Sequence, residues 1–382
     1  MKSPFDLTNK RAVIEFKETD PYNPQNILEG YINRRQGNLY GALWITHVNG
    51  KKCEQLIYSA PKQHYPFGKD KNGEIIEWEF PEYEYFYTFE KLDGTCIISF
   101  IYKDSDGKEY LTYKTRLRPF LGESKYGNFF QLWNEMREKY QIDDYCRDSC
   151  DCCVFELYGK RNKILIDYDI PLDTKLIFIV DSLIGEIFLP VNPFGDYNIN
   201  VLYPETGIRG ITEFIDEELY GIIQNELEDE LFIDEESKIM KGKEGYVLYF
   251  MKHGVTKQIK CKPPSVLKYH WAGDAIAYES VYTTVVNAFE NFDEPTYDDV
   301  VGLLQEEFDV EKIEKSRVRI EKVLGKVLFD KKLQYELADD YRKLGVDINL
   351  DKVTVMRHFG KIYPKSEAHR IFNLLKQYED GK

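Results

Sequence analysis

Long hydrophobic runs are absent from this sequence, since no apolar stretch approaches the roughly 20 residues that a membrane-spanning helix requires. The segment from Met1 to Asp6 also lacks the hydrophobic centre of a secretion signal. We therefore expect a soluble, cytoplasmic protein with no membrane partner and no obligatory protein partner.

The 6 histidines, His64 among them, show no spacing typical of metal ligands, and we interpret them as structural.

Paired cysteines are also lacking, because 7 cysteines in a chain without a secretion signal argue against a disulfide framework. Four of them cluster as Cys146, Cys150, Cys152 and Cys153. Their spacing is not that of two separated C-x2-C knuckles, and adjacent cysteines are poorly placed to ligate one zinc ion. We predict reduced thiols in or beside the core, with a structural zinc site as the alternative.

Positive charge is in deficit: 51 Lys and Arg residues face 66 Asp and Glu residues, and the formal net charge is −15. This balance is unfavourable for contacts with nucleic-acid phosphates, which depend on Lys and Arg. The charges are unevenly distributed, however. Acidic residues crowd the range 213–236, which we interpret as a solvated face, while basic residues are frequent at 114–118, 160–163 and 260–268.

What the sequence has in quantity is hydrophobic residues, which make up 43% of its 382 positions, including 15% aromatic residues. A chain of this size can bury a sizeable core and typically forms two domains. Strand patterns dominate the first part, and helical patterns follow Pro263 and Pro264, which break the last strand. We therefore predict one domain at residues 1–264 and an all-helical domain at residues 265–382.

Two hairpins are predicted in the first domain from their turn dipeptides and alternating strands. The strands are residues 95–102 and 109–115 in the first hairpin, and residues 246–251 and 255–262 in the second. The first hairpin would place Arg116 opposite Ile97. The second would bring Glu244 near Lys262, and would point Lys260 and Lys262 to the same face of the strand.

The remaining periodic segments complete the predicted order of elements. In the first domain we predict strands at 154–158, 164–168 and 175–181 and a helix at 127–140. In the second we predict helices at 265–289, 298–308, 310–328, 331–344 and 366–378. A capping box at Thr296 and Asp299 and an apolar face ending at Gly345 support two of these helices.

The stretch from Lys91 to Gly94 places a lysine just ahead of a carboxylate, at the start of an apolar strand. An ε-ammonium becomes a nucleophile only after it loses a proton, so the site must supply nearby cations, a metal ion or desolvation. Charged residues that could do so follow downstream, namely Glu156, Glu244, Lys260 and Lys262. The lysine motif alone is weak, but the ordered set predicts a nucleophilic Lys91.

This ordered set resembles the motifs of the covalent nucleotidyltransferases and, among them, the ATP-dependent RNA ligases of phage type. The resemblance runs from about Tyr58 to Lys262, somewhat over half of the chain. The segment Ser59 to Phe67 is similar to the one that precedes the lysine motif, and Tyr113 to Leu117 is similar to the motif that follows it. The family usually carries a glycine after the arginine of that motif, and Leu117 replaces it here.

The resemblance implies an α+β fold: an adenylyltransferase domain of ATP-grasp-like antiparallel sheets flanked by helices, followed by an all-α C-terminal domain. It also implies an RNA ligase that uses ATP and Mg²⁺ or Mn²⁺. Such an enzyme joins RNA 5′-phosphate and 3′-hydroxyl ends into a phosphodiester through lysyl-AMP and RNA-adenylate intermediates, as in RNA repair.

The same resemblance implies a role for each motif residue. Lys91 would attack the α-phosphate of ATP, Lys260 and Lys262 would contact the phosphates, and Glu244 would hold the metal ion. The implied nucleotide-binding residues are Lys62 at the triphosphate tail, Glu90 at the adenine amino group, Asp93 and Gly94 beside the lysine, Arg116 and Glu156 at the ribose, and Phe178 stacked on adenine.

Three alternatives remain open at this point. DNA ligases and capping guanylyltransferases share the lysine chemistry, but they normally continue into a β-barrel after the last motif, where this chain becomes helical. Guanine would also present an acceptor, its O6, to Glu90. A non-catalytic nucleotide-binding or RNA-binding homologue is the third alternative, although such a protein would be expected to lose the charged motif residues first, and all are present.

Overall fold

The computed structural model describes residues 3–8, 12–34, 37–69, 75–121, 129–190, 197–209, 214–234, 239–271, 275–305, 308 and 310–380. The strands are β1 (Val13–Thr19), β2 (Ile27–Asn33), β3 (Leu43–Val48), β4 (Lys51–Ile57), β5 (Phe67–Lys69), β6 (Ile75–Trp78), β7 (Tyr85–Glu90), β8 (Gly94–Lys103), β9 (Glu109–Thr115), β10 (Cys152–Tyr158), β11 (Asp173–Val180), β12 (Ile187–Phe188), β13 (Thr206–Arg209), β14 (Phe232–Asp234), β15 (Ile239–Lys241), β16 (Tyr246–Lys252) and β17 (Val255–Cys261).

The α-helices are α1 (Phe129–Lys139), α2 (Ile142–Ser149), α3 (Glu217–Asp229), α4 (Pro264–Trp271), α5 (Tyr278–Asn291), α6 (Tyr297–Leu304), α7 (Val310–Lys315), α8 (Arg317–Leu344), α9 (Lys352–Phe359) and α10 (Ala368–Asp380). Short 3₁₀ helices cover Lys160–Asn162 and Lys365–Glu367. Among the described residues, no helix is both long enough and apolar enough to cross a membrane.

Two antiparallel sheets form the first part of the chain. Strands β1 to β4 make a four-stranded sheet in chain order, and a nine-stranded sheet has the order β13-β7-β16-β17-β12-β11-β10-β8-β9. Every adjacent pair in the large sheet is antiparallel. Helices follow the last strand, so the predicted α+β class, with antiparallel sheets ahead of an all-α region, is confirmed.

The large sheet is buried on both faces, which explains the density of apolar residues in its strands. One face packs against the four-stranded sheet through side chains such as Leu28 and Phe100. The other packs against α1 and α2, where Trp133 is fully buried beside Phe155. The first of these two cores also supplies part of the wall of the cleft described below.

The predicted strand at 164–168 is not formed. Strand β10 pairs with β8 and β11, and only Ile166 makes an isolated bridge, to Met240. The reason is a competing acceptor: the backbone N–H groups of Leu165 and Ile166 both donate to Oδ2 of Asp93, at 2.5 and 2.6 Å. These donors are therefore not available to a neighbouring strand.

The first predicted hairpin forms with its register shifted by one residue. Ile97 lies opposite Thr115, so the prediction that Arg116 would lie opposite Ile97 is wrong. The turn is centred on Asp106 rather than between Asp106 and Gly107, because Oδ1 of Asp104 accepts the N–H groups of both Asp106 and Lys108. This five-residue turn leaves Arg116 just beyond the end of β9.

The helical region contains two cores joined by one long helix. The first core is built by α5, α6 and the first half of α8, and the second by the rest of α8 with α9 and α10. The predicted break at 329–330 is absent because α8 continues from one core into the other. The predicted capping box of α6 and the helix end at Gly345 are confirmed.

The predicted helices 265–289 and 310–328 are each divided. The first is replaced by α4 and α5, and the second is interrupted at Ser316, between α7 and α8. Ser316 Oγ donates to the carbonyl of Lys312 at 2.8 Å and accepts the N–H of Ile276 at 2.7 Å, so it ties this break to the residues before α5. The change from strands to helices falls between Cys261 and Pro264, while the boundary between independent domains at 264/265 stays a prediction.

Candidate active site

A cleft of about 300 Å³ opens on the face of the large sheet that packs against the small one. Its floor and walls come from the ends of β7 and β8, from β10, β11 and β16, and from the residue that follows β17. Nine of the predicted site residues line it, namely Glu90, Lys91, Asp93, Gly94, Arg116, Glu156, Phe178, Glu244 and Lys262. The fold thus gathers into one cavity residues that are up to 172 positions apart, from Glu90 to Lys262.

Lys91 is placed by the pairing of two strands. Glu90 lies opposite Tyr246 at the end of the β7–β16 ladder, and the N–H of Lys91 donates to the carbonyl of Gly245 at 2.8 Å. This pairing brings Nζ of Lys91 to 2.5 Å from Oε2 of Glu244. The side chain of Lys91 keeps 23% of its surface exposed, so it can be reached from the cleft.

Glu244 bridges two lysines at the bottom of the cleft. Its Oε2 accepts from Lys91, and its Oε1 lies 2.9 Å from Nζ of Lys262, which is only 4% exposed. Burial disfavours the charged carboxylate, but the two ammonium groups outweigh burial and lower the pKa of Glu244 to about 2. Glu244 is therefore ionised at neutral pH. The predicted proximity of Glu244 and Lys262 is confirmed.

A glycine beside Glu244 allows this close contact. A Cβ atom on Gly245 would lie 2.3 Å from the carbonyl oxygen of Cys261, so a larger residue would push β16 away from β17. Gly94 is required for the same reason, since its Cβ would meet the carbonyl oxygen of Leu157 at 2.1 Å. Gly245 thus lets the backbones carrying Glu244 and Lys262 come together, and Gly94 lets β8 approach β10, the strand that carries Glu156.

Asp93 turns its carboxylate toward the backbone. Its Oδ2 accepts two N–H groups, from Leu165 and Ile166, and its own N–H donates to the hydroxyl of Tyr168 at 2.8 Å. Burial and the nearby charge of Glu244 raise the pKa of Asp93 to about 6, against the lowering effect of the two N–H groups. Asp93 thus shapes the loop after Lys91 as well as lining the cleft.

Glu156 and Arg116 stand at the side of the cleft toward β9. Burial raises the pKa of Glu156 to about 8, although the charges of Lys91 and Arg116 oppose this shift. In the ligand-free protein Glu156 therefore holds a proton at neutral pH and can donate a hydrogen bond as well as accept one. A carboxyl group in this state is suited to a hydroxyl partner.

Phe178 and Glu90 occupy the opposite wall. Phe178 is 1% exposed and belongs to the core between the two sheets, with part of its ring facing the cleft. Burial raises the pKa of the Glu90 carboxyl, an effect that Lys175 opposes. The predicted roles of these two residues, stacking and base contact, stay predictions.

Two predicted site residues lie outside the cleft lining. Lys62 donates from Nζ to the backbone carbonyl of Gln305, 3.1 Å away in the helical region. Lys260 is 5% exposed, and its Nζ lies 4.4 Å from the ring centroid of Tyr65. Their predicted contacts with phosphates stay predictions, whereas Gln63, which lies in the segment Ser59 to Phe67 but was not predicted as a site residue, does line the cleft.

The carboxylates of the cleft fit a hard cation only in part. Both oxygens of Glu244 are engaged by lysines, and one oxygen of Asp93 is engaged by the backbone. Among the residues that the structure describes, no group of three or more His, Cys, Asp and Glu side chains is placed to hold a metal ion. Mg²⁺ commonly uses only one or two carboxylates together with substrate phosphates and waters, and Glu244 is the residue suited to that use.

The clustered cysteines have free thiols. Cys146, Cys152 and Cys153 are buried in the cores beside the large sheet, and Cys150 is exposed at the end of α2. This agrees with the prediction of reduced thiols packed in or beside the core.

Sequence analysis missed the part of the site that comes from the helical region. One side of α5 faces the cleft and contributes the uncharged polar residues Ser280, Thr283, Thr284, Asn287 and Asn291. Thr115 Oγ1 donates to Oδ1 of Asn291 at 2.7 Å, which fixes one end of this helix to the end of β9. The spacing of these residues at three and four positions is a helical stripe that the sequence does contain.

No family model and no curated protein matches the sequence. Among solved structures, an archaeal ATP-dependent RNA ligase is similar over 86% of this chain and 81% of its own, at 15% identity and a TM-score of 0.44. A Naegleria gruberi RNA ligase is similar over 68% of this chain and 97% of its own, at 10% identity and a TM-score of 0.35.

A Naegleria gruberi variant solved with ATP and Mn is likewise similar over 68% of this chain, at 9% identity and a TM-score of 0.32. These solved structures are RNA ligases from an archaeon and from Naegleria gruberi. Because the identities are this low, the reaction has to be argued from the side chains of the cleft.

Proposed function

We propose that this protein is an ATP-dependent RNA ligase that joins a 5′-phosphate to a 3′-hydroxyl through lysyl-AMP and RNA-adenylate intermediates. The observation that carries the proposal is the chain of contacts Lys91–Glu244–Lys262 on the floor of a cleft of about 300 Å³. If the ion pair between Lys91 and Glu244 were purely structural, Lys91 would not need to be reachable from the cleft, yet 23% of its side chain is exposed.

The first step requires Lys91 to reach a phosphorus atom. Lys91 Nζ, as the free amine after its ammonium proton passes to solvent, would attack the α-phosphate of ATP, form an N–P bond and expel pyrophosphate, and the nitrogen would then release a second proton to solvent to leave the phosphoramidate. Glu244 holds that amine in place through Oε2 before the attack. Lys262, fixed to the other oxygen, stands where it can offset negative charge on the phosphates, and such preorganised charge is a large part of catalysis of this kind.

The two later steps release first Lys91 and then AMP. The RNA 5′-phosphate would attack the phosphorus of lysyl-AMP, which releases Lys91 as the leaving amine. The 3′-hydroxyl of the second strand would then attack the activated 5′-phosphate and expel AMP, so that one phosphodiester forms for each ATP cleaved to AMP and pyrophosphate. A bound Mg²⁺ or Mn²⁺ would supply Lewis-acid stabilisation of the phosphates, with Glu244 as its candidate protein ligand.

The decisive experiment is incubation with ATP and Mg²⁺ followed by intact-mass measurement. We expect wild-type protein to gain the mass of one AMP and Lys91→Ala to gain none, because the other lysine on Glu244, Lys262, is only 4% exposed whereas Lys91 is 23% exposed. A parallel sample with GTP tests the guanylyltransferase alternative. Labelled RNA with a 5′-phosphate, compared with DNA of the same sequence, then tests the substrate.

Wild-type protein that stays unmodified by any nucleotide in the presence of Mg²⁺ or Mn²⁺ would contradict the enzyme assignment and favour a nucleotide-binding homologue. Modification by ATP without joining of RNA would favour another covalent nucleotidyltransferase. The control for folding is Lys376→Ala, an exposed lysine on α10 far from the cleft residues in sequence, which should be adenylylated like the wild type.

A further inference from the structure

Helix α5 closes the cleft with a face that differs chemically from the floor. Its opposite side packs into the first helical core through Val281, Val285 and Ala288, all fully buried. The side toward the cleft carries three hydroxyl and two amide side chains, which we name the roof: Ser280, Thr283, Thr284, Asn287 and Asn291. Helix α5 is therefore amphipathic, with its polar side on a cavity rather than on open solvent.

The roof is uncharged, and this is informative. A solvated helix face usually carries Lys and Glu, while a surface selected for phosphate carries Lys or Arg. Thr and Asn side chains can instead both donate and accept hydrogen bonds. Groups with this dual capacity match hydroxyl groups, which also donate and accept.

The roof is held in place over the cleft by contacts from the sheets. Asn291 bonds Thr115, the residue before Arg116. Beyond the end of the helix, the guanidinium of Arg34 lies 4.8 Å from the ring centroid of Phe292 and 3.2 Å from Oδ1 of Asp299. These contacts set one end of the roof beside Arg116 and near the protonated Glu156, which is itself suited to a hydroxyl partner.

We infer that the roof on α5 binds ribose hydroxyls, so that the helical region completes the substrate site. This deepens the proposed function and rests on it. The hydroxyls could belong to the ribose of ATP or to the terminal ribose of an RNA strand. Asn287, near the middle of the stripe, and Thr283 are the residues that should carry the effect.

The test uses the full-length chain with Asn287→Ala and Thr283→Val. The valine preserves the shape of threonine and removes only its hydroxyl, and Asn373→Ala on α10 is the matched control for an asparagine outside the cleft. Binding of ATP, 2′-deoxy-ATP and 3′-deoxy-ATP is measured in a Lys91→Ala background, where no covalent step intervenes. Joining is measured with strands that end in a ribose or a 2′-deoxyribose.

We expect each roof variant to weaken one of these interactions by about fivefold, the size typical of one neutral hydrogen bond. A loss with ATP that disappears with one deoxy analogue assigns the roof to the nucleotide. A loss in joining that disappears with the deoxy-ended strand, with ATP binding unchanged, assigns it to the RNA end. Either result supports the inference, and the control should match the parent protein.

Unchanged binding and joining in both variants would overturn the inference, because the roof would then serve packing alone. Equal losses with hydroxyl and deoxy ligands would also overturn it, since the lost contact would not be to a hydroxyl. ATP binding can be measured even if no lysyl-AMP ever forms. Failure of the proposed reaction and failure of the roof inference are therefore distinguishable.

Discussion

The floor and the roof of the cleft are built in different ways. The floor is charged, comes from strand ends, and is fixed by a buried carboxylate shared between Lys91 and Lys262. The roof is uncharged, comes from a helix, and is held by contacts that cross from the sheets to the helical region, such as Thr115 to Asn291. Chemistry that develops charge needs the first kind of surface, while recognition of neutral groups can use the second.

The floor and the roof should therefore differ in how well they tolerate substitution. Removing one partner of a buried ion pair leaves the other charge uncompensated, so the floor tolerates little change. The roof depends on single neutral hydrogen bonds and partly exposed ion pairs, each of which contributes little. The predictions below use this contrast, beginning with the floor.

The largest effect is expected at the bridge between the lysines. Glu244→Ala and Lys262→Ala should each slow lysyl-AMP formation by about 100-fold or more, because each removes a preplaced charge from the phosphate site. Lys262→Arg keeps the charge but changes its geometry, so partial recovery is expected. Single-turnover adenylylation with excess ATP measures the rate, and circular dichroism checks the fold. If Glu244→Ala and Lys262→Ala both fold and are adenylylated at the wild-type rate, these two residues have no part in lysyl-AMP formation.

A chain that ends after residue 275 should test whether the floor works without the roof. Among the residues that the structure describes, the cores beside the large sheet contain none beyond Cys261, and α4 adds Val266 to a small cluster with Ile166 and Met240, so this shortened chain should fold. We expect it still to adenylylate Lys91, with an ATP affinity lower by about tenfold because several weak contacts are lost together.

Thermal unfolding and adenylylation of the shortened chain are compared with those of full-length Thr283→Val. An ATP affinity equal to that of the full chain would mean that the roof has no part in nucleotide binding, and the joining assay would then have to reveal its role.

Two carboxyl groups of the cleft, Glu156 and Glu244, should make the free energy of unfolding depend on pH in opposite directions. The pKa of Glu156 is raised from 4.5 to about 8 in the folded protein, so its contribution is fully present below pH 4.5 and is lost as the pH rises toward 8. The pKa of Glu244 is lowered to about 2, so its contribution is present above pH 4.5 and is lost as the pH falls toward 2.

Glu156→Gln should therefore flatten the decline in melting temperature between about pH 6 and 8, above the range in which Asp93, with its pKa raised to about 6, contributes a decline of its own, and Glu244→Gln should leave the decline unchanged. Melting curves of the ligand-free proteins across this range provide the measurement. If the melting temperature of Glu156→Gln declines with rising pH as steeply as that of the wild type, a group other than Glu156 causes the decline.

Sequence patterns predicted the floor well because it depends on local hairpin geometry. The turn at His253-Gly254 sets the register of β16 and β17, and that register alone brings Glu244 to Lys262. The patterns failed where a side chain replaced a strand partner, as Asp93 does for Leu165 and Ile166.

The roof could not be predicted because it depends on docking between distant parts of the chain. Its stripe on α5 has the same spacing as any solvated helix face, and nothing local to residues 280–291 indicates which surface it meets. The contact between Thr115 and Asn291, which helps to align it, joins residues separated by 176 positions.

The smallest effect is expected at the contact that holds the roof over the floor. Arg34 pairs with Asp299 and lies over Phe292, with 24% of its side chain exposed. Arg34→Ala should cost about 1 kcal/mol of unfolding free energy, because a partly buried ion pair and a cation–π contact are lost together. Arg317→Ala is the matched control, since Arg317 makes the same two kinds of contact, an ion pair with Glu321 and a cation–π contact with Tyr297, but within the helical region and with 57% of its side chain exposed, where such a pair contributes only about 0.3–0.5 kcal/mol. Urea unfolding measures both, and limited proteolysis near residue 275 reports on whether α5 has loosened. If Arg34→Ala were no more destabilising than Arg317→Ala and no more sensitive to protease, this contact would not be what keeps the helical region on the cleft.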